Sequence, residues 1–155
     1  MSKLTHVDDR GDARMVDVSA KPPMMREAVA SGEVLCRPET IALIQANGIA
    51  KGNVFATARI AGIAGAKRTP ELIPLCHSLY LTHVDVDFQI AEDRTRIFIK
   101  ASAKATAQTG VEMEALTAVA VAGLTIYDMC KAADKTMVIS QITLVSKTKQ
   151  PVVPA

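Results

Sequence analysis

The stretch from Gly110 to Lys131, Gly-Val-Glu-Met-Glu-Ala-Leu-Thr-Ala-Val-Ala-Val-Ala-Gly-Leu-Thr-Ile-Tyr-Asp-Met-Cys-Lys, carries charge only near its two ends. It predicts one long helix, with Glu112 and Glu114 in the first turn and Asp128 and Lys131 in the last. A helix without a polar face is buried along its length, so these four groups must emerge at the edges of a core. Acids at the start complement the helix dipole, whereas Asp128 at the end opposes it. Its pKa should therefore be raised unless Lys131 or a bound cation offsets the dipole.

Local chemistry accounts for part of this pattern. Thr109 followed by Glu112 reads as a capping box, and Asp128 with Lys131 reads as an i,i+3 ion pair. Glu114 has neither explanation. At ~100° and ~1.5 Å per residue, Glu114 and Asp128 lie within about 40° of one face but ~21 Å apart along the axis. One pocket in one subunit cannot use both directly. If both serve one site, two copies of the chain supply them, most simply across a two-fold axis.

At 155 residues the chain makes one domain with a substantial core. Residues 1–14 are expected to be flexible, and so is a tail over 148–155. Aromatics are 3% against 49% hydrophobics overall, so packing falls to aliphatic residues and seven Met. A net charge of +2 is too small to argue for nucleic acid from field strength. No signal peptide opens the sequence, and its apolar runs fall short of a membrane span. Cys36, Cys76 and Cys130 are odd in number and widely spaced, which fits reduced thiols in the cytoplasm.

Pattern along the chain predicts a short strand at Met15–Ser19, a helical turn at Met25–Ala30, and helices over Pro38–Ala46 and Val54–Ala66. Strands follow at Leu81–Ile90 and Arg94–Thr106. A turn at Ala91–Arg94 would set Asp85 opposite Lys100 and Val86 opposite Ile99. After the long helix comes a last strand, Met137–Lys147. This is an α+β chain in the order of a ferredoxin-like split βαβ fold, an antiparallel sheet with helices packed on one face.

Candidate chemistry gathers at few places. Lys51 precedes Gly52, which permits close backbone approach, and a helix start that favours an anion; a solvated loop lysine is the plain alternative. Lys67 and Arg68 suit a helix C-terminus. Gly62-x-x-Gly65-x-Lys67 fails the spacing of a phosphate-binding loop. Cys76 and His77 are adjacent, so in extended chain they point opposite ways and make no dyad. His77 remains open as a proton carrier or phosphate ligand, while His6 and His83 look exposed and dispensable. Lys51, His77, Glu114, Asp128 and Lys131 together fit a polyphosphorylated, nucleotide-like ligand, with cations for phosphates and carboxylates for protons or an amine-bearing base.

Several long segments resemble the molybdenum cofactor biosynthesis protein C family. They are Met-Val-Asp-Val-Ser at 15–19, Lys-Gly-Asn-Val-Phe-Ala-Thr-Ala-Arg-Ile-Ala-Gly-Ile from Lys51, Ala-Lys-Arg-Thr at 66–69, Leu-Ile-Pro-Leu-Cys-His from Leu72, Thr-Gly-Val-Glu-Met-Glu-Ala-Leu-Thr-Ala from Thr109, and Tyr-Asp-Met-Cys-Lys at 127–131. The resemblance implies a lyase of cytoplasmic molybdenum cofactor biosynthesis. Its reaction would convert 3′,8-cyclo-7,8-dihydro-GTP to cyclic pyranopterin monophosphate with release of pyrophosphate. It also implies a hexamer built as a trimer of dimers, with sites at the dimer interface. Asp128, Lys51, Lys131 and His77 would be catalytic. Leu75, Cys76, His77, Met113 and Glu114 would contact substrate, and Glu112, Lys67, Arg26 and Lys147 would join them. No resident cofactor or metal is expected, magnesium being considered only with the substrate phosphates, and neither nucleic acid nor membrane is expected as partner. The chain departs from the family pattern at Met24, Ser78 and Gln108, and lacks a Gly-Gly-Lys-Ser-Gly tail after Lys147. Two other classes are alternatives. A ferredoxin-like RNA-binding module needs aromatics on its central strands, and only Tyr80, Phe88 and Phe98 lie near them. An inactive paralogue acting as a small-ligand-binding or interaction domain differs from the enzyme only in turnover.

Overall fold

The strand that organises the sheet comes from residues that favour helix. Met24–Leu35 forms β1, extended over its whole length, with Ala28, Ala30 and Val34 buried on its inner face. Met, Arg, Glu and Ala are good helix formers, so the helical turn expected at Met25–Ala30 is corrected here. Alternation at period two, and small inner residues that leave room for a helix above them, override propensity.

After β1 come α1 (Pro38–Gln45), α2 (Val54–Lys67), the single turn α3 (Thr69–Leu72), β2 (His83–Ile90), β3 (Arg96–Ala107), α4 (Glu112–Cys130) and β4 (Val138–Pro151). The structure is a computed structural model that describes residues 6–153. Its four strands lie in the order β2-β3-β1-β4, and every neighbouring pair is antiparallel. The fold is α+β, consistent with the ferredoxin-like arrangement.

Three further sequence expectations change. Met15–Ser19 alternates like a strand but pairs with none, and runs instead towards the Leu75–His77 loop. The hairpin register is shifted by two, so Asp87 faces Lys100 and Asp85 faces Ser102. Its turn falls one residue later than expected, held by Arg94 at φ 54° and by Asp93 accepting from the Thr95 hydroxyl at 2.7 Å. A shift of two preserves the faces, and Val86 is still buried. Finally, the tail expected from Thr148 continues β4 through Pro151, paired with Met24. Of the leader expected to be flexible, residues 1–5 lie outside the described residues, and an isolated bridge joins Val7 to Ala13.

The core lies between the sheet and α4. Ala115, Ala118, Val119, Ala122 and Ile126 are buried against Ile97, Ile99 and Ala101 of β3 and the inner face of β1. By length and hydropathy α4 could cross a bilayer, a closer match than the sequence reading allowed. Its packing against α2 and all four strands is that of a core helix. At the α2 edge Phe55 stacks on Phe88, with ring centroids 5.0 Å apart.

Close approach of α2 to α4 depends on Gly62. A Cβ there would lie 2.9 Å from the Ala118 carbonyl oxygen, a backbone atom that cannot turn aside. Gly62→Ala should therefore lower unfolding free energy by about 1–3 kcal/mol, as overpacking does. Denaturant melts with an unchanged far-UV spectrum check this, and wild-type stability would refute the contact.

Burial, helped by the charge of Asp134, pushes the thiols of Cys36 and Cys130 up to about 11. Cys76 is only partly covered. Peptide mapping after brief iodoacetamide treatment at about pH 8 should find Cys76 alkylated well before the other two, because both burial and a high pKa withhold the thiolate.

Candidate active site

At the C-terminal end of α4 two lysines converge on one carboxylate. Lys51 lies on the loop between α1 and α2. The next residue, Gly52, has φ +107°, a conformation that side chains rarely adopt, with open space around its α-carbon. Asn53 then caps α2 by accepting the Ala56 N–H at 2.8 Å. Lys51 Nζ sits 2.8 Å from Asp128 Oδ2 and 3.0 Å from the Asp128 carbonyl oxygen. Lys131 Nζ sits 2.7 Å from Asp128 Oδ1.

These bonds decide the charge state of Asp128. Hydrogen bonds from Lys131 and then Lys51, with the charge of each, bring its pKa down to about 2. The helix dipole acts the other way and is outweighed, so the exception allowed for Lys131 is the case that holds. Lys131 is raised in turn by its bond to Asp128. All three side chains are about half exposed, which leaves their charges available to a ligand.

The N-terminal end is built differently. The helix starts at Glu112, its N-cap is Val111, and no side chain caps it, so the expected Thr109 capping box does not form. Glu112 reaches across to β4 and accepts from Lys147 Nζ at 2.9 Å. Burial pushes its pKa up, but the bond and charge of Lys147 outweigh that and lower it. Arg26 on β1 donates to the carbonyls of Ala107 and Gln108 at 3.4 and 3.2 Å. Arg26, Glu112, Lys147 and Lys149 line a cavity of about 320 Å³. Lys149 belongs to the stretch that departs from the family tail.

A second cavity of about 570 Å³ shares Gly110 and Glu112 with the first and is walled by Leu75, Cys76, His77, Met113 and Lys21. His77 Nε2 lies 2.6 Å from the Val16 carbonyl oxygen. A carbonyl only accepts, so Nε2 carries the proton and Nδ1 is the nitrogen left to act as acceptor. Glu114 stands behind this wall, 2% exposed. Cys76 Sγ donates to its Oε1 at 3.9 Å, and Oε2 is buried without a partner among the described residues. Burial raises its pKa, which favours a neutral acid.

The expected residues thus fall into two groups. Lys51, Asp128 and Lys131 meet at one end of α4. Leu75, Cys76, His77, Glu112, Met113, Arg26 and Lys147 gather at the other, with Glu114 beneath them. Lys67 is exposed at the end of α2 and bonds to neither group among the described residues. Sixteen residues of helix keep Glu112 and Asp128 ~24 Å apart along the axis. Sequence reasoning missed the Val16 carbonyl, which has no side-chain signature, and Lys149, which looked like tail. Among the described residues no group of three or more His, Cys, Asp or Glu could hold a metal ion.

The model of the MoaC family matches residues 15–150. A cyclic pyranopterin monophosphate synthase of Pelotomaculum thermopropionicum is 60% identical over 148 residues, covering 96% of this chain and 87% of that one. The protein of the same name from Roseiflexus sp. is 59% identical over 148 residues, covering 96% and 94%. A molybdenum cofactor biosynthesis bifunctional protein of Chlorobaculum tepidum is 56% identical over 146 residues, covering 94% of this chain but 46% of that protein. Matched by the family model from residue 15 to 150 and by these relatives over nearly its whole length, this chain belongs to the MoaC family.

Proposed function

We propose that the protein is a cyclic pyranopterin monophosphate synthase, converting 3′,8-cyclo-7,8-dihydro-GTP to cyclic pyranopterin monophosphate and pyrophosphate in the cytoplasm. The observation that carries this reading is the convergence of Lys51 and Lys131 on Asp128, in a chain so similar to synthases of that name. To turn a triphosphate into a cyclic monophosphate, a hydroxyl of the substrate bonds to the α-phosphorus and loses its proton. The bond from that phosphorus to the bridging oxygen breaks, and pyrophosphate leaves with the electron pair. Such chemistry needs cations on the phosphates and a group that takes a proton.

Lys147, Arg26 and Lys149 offer cations at one end of α4, Lys51 and Lys131 at the other. Held at a pKa of about 2, Asp128 is a feeble base while both lysines bind it. Substrate phosphates that draw a lysine away would raise it towards the ordinary carboxylate range and make it a better proton acceptor. Substrate binding thereby arms the carboxylate. No resident cofactor is required, and magnesium would arrive only with the phosphates.

The separation of the two groups supports a site shared between chains, in a hexamer made as a trimer of dimers. Sedimentation at micromolar concentration should give an oligomer, and a 16.5 kDa species alone would sink the shared site. Asp128→Asn and Glu112→Gln chains, each inactive alone, should regain activity when mixed and reassembled. Random pairing across a two-fold axis restores at most about a quarter of sites. Mixed oligomers no more active than either parent would place both groups in separate sites.

Purified protein given the cyclised GTP derivative should yield cyclic pyranopterin monophosphate and pyrophosphate in equal amounts. Lys51→Ala or Lys131→Ala should cost roughly ten- to a hundredfold in kcat/KM, the range for a charge-assisted contact. Binding without turnover in the wild type would leave a ligand-binding paralogue.

Charge coupling gives a further check with its sign fixed. Asp128 is depressed, so its ion pairs persist above the ordinary carboxylate pKa and are lost only as pH falls towards about 2. NMR titration should find that low midpoint in the free protein and a higher one in Lys131→Met. An unchanged midpoint in the variant would remove Lys131 as the main cause.

A further inference from the structure

Asp134 lies three residues beyond Lys131 and belongs to neither group of site residues, yet it is wholly buried. Four donors satisfy its carboxylate. Oδ2 accepts the Arg37 backbone N–H at 2.9 Å and the Thr40 hydroxyl at 3.0 Å. Oδ1 accepts the Thr136 backbone N–H at 2.9 Å and the Thr136 hydroxyl at 2.7 Å. Arg37 Nε stands 3.5 Å from the same oxygen. Burial alone would favour the neutral acid, but these bonds outweigh it and keep Asp134 ionised.

The connections of these partners give the carboxylate its significance. Arg37 is the N-cap of α1 and Thr40 lies in its first turn, so the negative charge sits at the positive end of that helix. Asp134's own N–H donates to the Cys130 carbonyl at 3.0 Å, in the last turn of α4. Arg37 Nη2 also donates to the Ala133 carbonyl. One buried carboxylate thus joins the start of α1 to the end of α4. From the far end of α1, Asn47 and Gly48 lead to Lys51, whose ammonium returns to Asp128 on α4. The circuit runs from α4 through Asp134, α1 and Lys51 back to α4. Lys51 and Asp128 are half exposed, so their spacing is only as firm as the backbone beneath them.

We infer that Asp134 is a positioning residue for the reaction, its buried bonds to Arg37 and Thr40 setting the distance between Lys51 and the Asp128–Lys131 pair. Its catalytic meaning rests on the function proposed above; its effect on Lys51 does not. An asparagine has the same shape but turns an N–H₂ towards groups that donate, either at Arg37 or at Thr136. Asp134→Asn should therefore loosen the brace without emptying space.

Two readouts test this on the intact protein. Below the melting temperature, Asp134→Asn should lose roughly ten- to a hundredfold in kcat with KM changed less than about threefold, as expected when a catalytic group is misplaced by a fraction of an ångström to an ångström. In trace acetic anhydride labelling without substrate, Lys51 should react severalfold faster in the variant as its contact with Asp128 loosens, while Lys100 on the sheet keeps its rate. Thr40→Val, which removes one of the four bonds, should show both changes in smaller degree and serves if Asp134→Asn does not fold. A variant with a lower melting temperature but native kcat and native Lys51 labelling would make Asp134 purely structural and overturn the inference. A fall in kcat with Lys51 labelling unchanged would also overturn it. A wild type that turns over no substrate would overturn the proposed function, while the labelling still decides whether Asp134 places Lys51.

Discussion

The uncharged middle of α4 is the constraint on which the rest depends. It lies between α2 and the sheet at distances only small residues allow. A Cβ at Gly62 would meet the Ala118 carbonyl, and one at Gly32 would fall 2.7 Å from a Val119 methyl. Nothing ionised can be accommodated along such a contact without a large desolvation cost. Functional groups are therefore confined to the ends of the helix, and a rigid rod fixes their separation. Whether the two ends act together becomes a question of assembly rather than of flexibility within one chain.

Along that rod three carboxyls occupy three electrostatic settings. Glu112 is paired with Lys147, which prevails over burial. Glu114, two residues on and so about 200° around the helix, faces inward to Cys76 and is pushed up by burial. Asp128 is pulled far down by two lysines. Neighbouring groups whose pKa values are driven apart are how a single element can offer both an acid and an anion at neutral pH. Helical phase separates Glu112 from Glu114; a loop lysine and an i,i+3 lysine, against the dipole, set Asp128 apart.

How far the sequence foretold this varies with the range of the interaction. The long helix, the hairpin and the placement of Asp128, Lys131, Glu112 and Glu114 were legible, because charge pattern and period are local. The central strand was not. Met25–Ala30 carries helix formers, and only its neighbours β3 and β4 make it extended. The Thr109 capping box failed because the helix begins at Glu112 behind Val111, two residues later than such a box requires, and Glu112 pairs instead with Lys147, far along the chain. The pKa of Asp128 is set first by Lys131, which the i,i+3 spacing offered, and then by Lys51, whose approach depends on the fold of a separate loop. Asp134 went unremarked, since nothing in Lys-Ala-Ala-Asp-Lys-Thr announces that its partner is the start of a helix nearly a hundred residues earlier.

Stability does not explain the cluster at the end of α4. Ion pairs between half-exposed side chains contribute little to folding, since solvent screens them and ordering long side chains costs entropy. Holding two ammonium groups close on one carboxylate also leaves a net positive charge at a single surface point, which no further ion pair among the described residues neutralises. Asp134 is the opposite case, a buried carboxylate with every bond filled, the type whose loss unfolds or loosens a protein. The exposed trio carries charge that the fold does not need, and the buried carboxylate holds the backbone that carries it. That division of labour is what a site requires if its charges must be free to leave one another for an anionic substrate while their backbones stay in place.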